Sequence, residues 1–226
     1  MPNARETLPD TYNPQSMVDV RNDARTRRSV FFLRLFSIVF FVPLFAGVPL
    51  TVRHRAGFDP VLLWEIGFGN TGWLVPFVLL GAAVYVVVLL HEGIHAGVLS
   101  LLGVRPVTVG FNGLTPVASA PERYLSRRGA FIYGATPFFA GSIVGIAALL
   151  VVPDRFVSWA FLPTVAHGVI CAADFVVIAW LIGVPKDGVI ELRPEGVVAY
   201  AEGPGAERVQ RKYSRTRNNR KGRRSS

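Results

Sequence analysis

One cysteine, Cys171, stands among 226 residues, which excludes any intramolecular disulfide and any zinc module built on cysteines. Charge is scarce as well: 17% of residues are charged, with 15 acidic against 24 Lys and Arg. There is no internal repeat and no second domain, so a repeat-built transporter has no footing here. The basic excess is local. Residues 201–226 hold nine Lys/Arg against two Glu, and everything before them nets only +2. That tail has no apolar period, and blocks of this composition are disordered and solvated. Its charge suits anionic lipid head groups at a membrane surface. With Tyr213 as its one aromatic and no folded module, nucleic-acid contact is not expected.

Apolar residues, by contrast, are abundant: 51% of the chain, with 16 Phe. A hydrocarbon core roughly 30 Å thick needs about 20 mostly apolar residues per helix. Four windows meet that length, at 29–51, 73–101, 129–152 and 157–183. The first is too long and too far from the start for a cleaved signal peptide and reads as an anchor. Five Arg precede the first window, four lie in the 102–128 connection, and eleven Lys/Arg follow residue 183. The 52–72 loop holds two and the 153–156 turn one. Positive-inside counting therefore places both termini and the 102–128 connection in the cytoplasm. Arg34, just inside the first window, reads as structural, snorkelling to the interface. In the 102–128 connection, Val107–Phe111 and Leu114–Ser119 flank Asn112-Gly113, a turn pair that predicts a short hairpin. Pro137 should kink the third span, while Pro76 and Pro163 are expected in first turns.

The fold expected is thus all-α and integral to the cell membrane: about four transmembrane helices with a short β-hairpin between helices 2 and 3. Residues 1–28 form a cytoplasmic segment, 29–200 the membrane-embedded domain, and 201–226 the tail.

Within the second window, LLHEGIHAGV places three polar groups in an apolar run. His91 and His95 are four apart, so on a helix both imidazoles face one ion while Glu92 stays adjacent. This is the HExxH pattern. Neutral imidazoles suit Zn²⁺, and a catalytic zinc keeps a position for water, whose pKa falls to about 7. Glu92 would take that water's proton and return it to the leaving amine. Ionisable groups at membrane depth cost about 2.5–3.5 kcal/mol each on insertion scales and mark function.

A catalytic zinc needs a third protein ligand. His54 falls in an external loop, which leaves His167, Asp174, Asp187 and Glu122. Counting about 1.5 Å per residue from the outer ends, His91 lies roughly 27 Å along the second span and Asp174 roughly 26 Å along the fourth. Asp174 therefore ranks first. His167 lies two turns further out, as a cavity-lining group or a histidine bonded to a neighbouring carbonyl, and Cys171 reads as a small apolar filler.

HEGIH on a transmembrane helix, the Ala173-Asp174 step and Val-Pro-Lys-Asp at 184–187 together resemble the DUF3267 family of membrane zincins, over roughly residues 75 to 200. That family is similar in plan to the site-2 protease class, whose aspartate precedes glycine; the Asp-Gly pair here is Asp187-Gly188. The resemblance implies a zinc metallopeptidase acting on a membrane protein or peptide. A zinc-binding membrane protein without peptidase activity, such as a sensor, assembly factor or pseudoprotease, is the alternative, and it would have no use for Glu92.

Overall fold

The computed structural model describes residues 4–5, 7–8, 10–19, 23–53, 58–66, 72–112, 114–194 and 196–203. His54, Gly113 and nearly all of the basic tail lie outside them.

Four helical stretches are long and apolar enough to cross a membrane. They are α1 (Ala24–Arg53), α2 (Leu74–Leu101), α3 (Arg127–Val151) and a fourth composed of α4 (Val157–Ile170) and α5 (Ala172–Ile182). Only 11% of the most apolar window of α2 is buried against protein. Phe32, Phe36, Val39 and Phe77 are likewise exposed. A face of that kind suits lipid, which carries no penalty for large apolar side chains.

The spans pack through small residues. A Cβ on Gly145 would stand 2.4 Å from Thr164, and one on Gly168 would stand 2.6 Å from the Phe41 ring. Dispersion between closely approaching backbones, rather than a hydrophobic gain, holds helices together in lipid. Phe41, Phe45, Leu149, Val157 and Phe161 close the core at the end of the bundle remote from the sheet. Pro76 is in the first turn of α2, as expected, and Pro137 lies inside α3. Pro163 is seven residues into α4 and so belongs to the helix interior, because α4 begins at Val157.

The expectation of an all-α chain with one hairpin is corrected by a sheet. Its strands are β1 (Ala4–Arg5), β2 (Tyr12–Val18), β3 (Thr108–Asn112), β4 (Thr115–Ser126), β5 (Val189–Arg193) and β6 (Gly196–Glu202). Five of them run in the order β1-β4-β5-β6-β2, and β3 pairs with β4; every pairing is antiparallel. The hairpin is present, but its ladder extends to Asn112 opposite Thr115, and β4 continues well past Ser119 to pair with β5. Val-Ile-Glu-Leu-Arg of β5 buries Ile190 and Leu192 against Leu125 of β4 and against Leu99 and Leu181 at the helix ends, while Val189 packs with Val198 and Tyr200. Removing these side chains from water roofs the bundle.

Strand pairing also fixes sidedness. The N-terminal strand β2 pairs with β6 near the C-terminus, and the 102–128 connection pairs with β5. All three segments therefore lie on one side of the bundle, because a hydrogen-bonded sheet cannot be divided by hydrocarbon.

Candidate metal centre

Two elements bring the polar cluster together. In α2 the i, i+4 spacing stacks His91 and His95 on the buried face, with ring centroids 4.8 Å apart. In the fourth span a turn at Cys171 divides α4 from α5, although Cys171 N–H still donates to the His167 carbonyl and Phe175 N–H to the Cys171 carbonyl. Asp174 then falls in the first turn of α5.

His91 Nε2 lies 3.1 Å from Asp174 Oδ2, and His95 Nε2 lies 3.3 Å from Asp174 Oδ1. The three ligand atoms lie within 4.8 Å of one another, with both imidazoles buried. Ligand atoms held 2.0–2.2 Å from one tetrahedral ion sit about 3.3–3.6 Å apart, and these spacings are close to that. Despite the short approach of His91, its geometry leaves the buried Oδ2 without a hydrogen-bond partner. A buried carboxylate oxygen in that condition is costly unless a cation meets it. Two imidazoles and a carboxylate form a donor set suited to zinc, so the residues fit the metal.

Glu92 stands on the neighbouring face of α2, and its Oε2 accepts the Ala118 backbone N–H at 2.9 Å. The carbonyl of the same residue accepts the Tyr133 hydroxyl at 3.4 Å. The Tyr133 ring lies on His95, with centroids 4.2 Å apart at 30°. Ala118 of β4 is thus held through both its N–H and its carbonyl, between the carboxylate beside the cluster and a tyrosine that packs on His95.

A cleft of about 730 Å³ opens onto His91, Glu92 and Asp174, between α1, α2 and the Thr115–Val117 segment of β4. A second, apolar cleft of about 370 Å³ reaches His91 from between α2, α3 and α4.

The remaining sequence candidates go elsewhere. His167 Nε2 lies 2.9 Å from the Pro137 carbonyl, which can only accept, so that nitrogen donates and has no lone pair for a metal. Gly141 permits the approach, since a Cβ there would stand 2.1 Å from His167 Nε2. His91, His167 and Cys171 form a second close group that shares His91. Within it, Cys171 Sγ is 3.8 Å from His91 Nδ1, the ring nitrogen turned away from Asp174. Asp187 lies in the α5–β5 loop, where its carbonyl accepts the Tyr12 hydroxyl. Glu122 sits at the bulge of β4, its N–H donating to the buried Glu191 carboxylate. Neither belongs to a metal-holding group among the described residues.

Sequence reasoning missed Ala118 and Tyr133. Ala118 contributes only backbone, and Tyr133 lies in an apolar run with no spacing to single it out.

Four helices long and apolar enough to cross a membrane surround a helix-borne His-Glu-x-x-His and the Asp174 carboxylate. Residues 84–189 match the model of the DUF3267 family, described as "Putative zincin peptidase", so the resemblance holds from the middle of α2 to the start of β5. We find no match among curated proteins or solved structures.

Proposed function

We propose that this chain is a membrane-embedded zinc metalloendopeptidase that hydrolyses peptide bonds within or next to the bilayer, on its cytoplasmic side. In this reading His91, His95 and Asp174 hold the metal and Glu92 is the general base. The observation that carries it is the approach of both imidazole Nε2 atoms to the two oxygens of Asp174, with the Glu92 carboxylate adjacent.

When bound, zinc supplies Lewis acidity toward the scissile carbonyl and lowers the pKa of water. The chain's own groups do the rest. Glu92 accepts the proton of the attacking water and passes it to the amine nitrogen as the C–N bond breaks. Asp174 balances charge and fixes the His91 and His95 rings. The β4 segment at Pro116 and Val117 lines the cleft beside Glu92, where an extended substrate could lie. The cation distribution argues that the sheet side is cytoplasmic, which puts both termini there, and the basic tail would rest on anionic head groups.

The Ala118 N–H contact favours a second reading, in which Glu92 merely ties β4 to α2 in a zinc-holding protein without peptidase activity. Glu92→Gln separates the two, since the amide keeps an acceptor oxygen for Ala118 but cannot take a proton. The test compares membrane proteomes of cells carrying wild-type or Glu92→Gln protein. Fragments that accumulate only with wild type support the peptidase; identical proteomes, with zinc retained in both proteins, support the second reading.

A further inference from the structure

The wall of the larger cleft opposite α2 belongs to α1, through Arg27, Val30, Phe31 and Arg34. The spacing i, i+3, i+4, i+7 puts these four on one stripe, so both arginines line the cleft that Glu92 and Asp174 also line. Arg34 is ten residues past the start of α1, and His91 is ten residues before the end of α2. Each is about 15 Å from the helix end that adjoins the sheet, so arginine and cluster share a depth. Among the described residues neither Arg27 nor Arg34 has a side-chain hydrogen bond or ion pair. Snorkelling explains a cation on a lipid face. It does not explain why this one lines a cleft shared with the cluster, where an ionisable group marks a ligand or a pathway.

We propose that Arg34, with Arg27 nearer the cytoplasmic mouth, selects substrates that carry a carboxylate side chain close to the bond presented to Glu92. The proposal rests on the peptidase reading and names its substrate class. The guanidinium is a planar fork that pairs with a carboxylate through two parallel hydrogen bonds. The cleft already contains the carboxylates of Glu92 and Asp174, which repel an acidic side chain unless fixed cations offset them. A strand edge lies across the cleft from the arginines, at Pro116 and Val117. A peptide laid along that edge presents alternate side chains toward α1, a fit that a lipid phosphate does not use.

The test places zinc-loaded wild-type protein in phosphatidylcholine nanodiscs and titrates labelled apolar peptides carrying one Glu, or Gln in its place, at successive positions. At one or more positions Glu should bind roughly 10-fold tighter than Gln or better, and Arg34→Gln should reduce that ratio to about twofold or less, as expected for loss of a hydrogen bond to a charged group. Arg34→Lys should fall between, since it keeps the charge without the fork. Equal binding of Glu and Gln peptides at every position overturns the proposal, and so does a preference that survives Arg34→Gln. Phosphatidylglycerol that abolishes the preference while leaving Gln-peptide binding intact assigns the arginines to lipid phosphate and also overturns it. Cleavage of the same peptides by wild-type and Glu92→Gln protein is read in parallel. Cleavage without an acidic preference removes this inference alone, whereas an acidic preference without cleavage removes the peptidase reading and, with it, substrate selection, leaving Arg34 in a peptide-binding cleft.

Discussion

Glu92 Oε2 and the backbone N–H of Ala118 meet at 2.9 Å, joining the HExxH helix to the strand that runs across it. The contact fixes the carboxylate beside His91 and His95 while leaving its second oxygen for chemistry. It also ties the general-base candidate to the strand that lines the larger cleft.

Replacing Glu92 by Gln should leave zinc content and thermal stability near wild type and lower cleavage by about 10²-fold or more, the lower end for losing a general base. Zinc analysis and a melting curve accompany the activity assay. Cleavage at the wild-type rate would contradict the assigned role.

Replacing Ala118 by Pro deletes the donor that holds Glu92. Cleavage should fall by roughly 10-fold, the scale of a hydrogen bond to a charged group, with zinc retained. Proline at Val117, the neighbour in the same strand, is the control. An equal loss at both positions would mean that damage to the strand, rather than release of Glu92, is responsible.

His167 bonds the Pro137 carbonyl and packs against Gly141. Gly141→Ala should destabilise the protein by about 1–3 kcal/mol through overpacking, measured by thermal unfolding in detergent. His167→Gln should leave zinc affinity within about threefold, because a residue outside the ligand set does not set the bond strengths. A large loss of zinc in His167→Gln would move the metal toward the His91, His167 and Cys171 group.

Cysteine labelling tests sidedness. A membrane-impermeant reagent applied outside should reach Gly57→Cys but not Arg215→Cys, given the cation bias. The reverse pattern would place the cluster's open side on the opposite face of the membrane.

What was legible in the sequence follows from periodicity. His91 and His95 announce themselves by a four-residue spacing in an apolar run, and Asp174 follows from depth, because a helix converts residue count into distance. The four spans need only length and composition. The sheet was less visible. Tyr-Asn-Pro-Gln-Ser-Met-Val of β2 contains Pro14, Asn13 and Gln15, and its pairing depends on a partner 179 to 190 residues away. Edge strands tolerate such residues, and no local pattern marks them. Arg34 was read as an interfacial anchor because its helix gives no hint of what stands opposite; the cleft arises only when α1, α2 and β4 assemble.

The most direct test of the account is zinc affinity in purified protein, compared between Asp174→Asn and Asp187→Asn. The wild type should hold about one zinc per chain. Asp174→Asn should weaken binding by about 10-fold or more, since it removes a charged ligand, and Asp187→Asn should match wild type. Undiminished zinc in Asp174→Asn together with its loss in Asp187→Asn would contradict the assignment and move the third ligand to the Asp187-Gly188 pair.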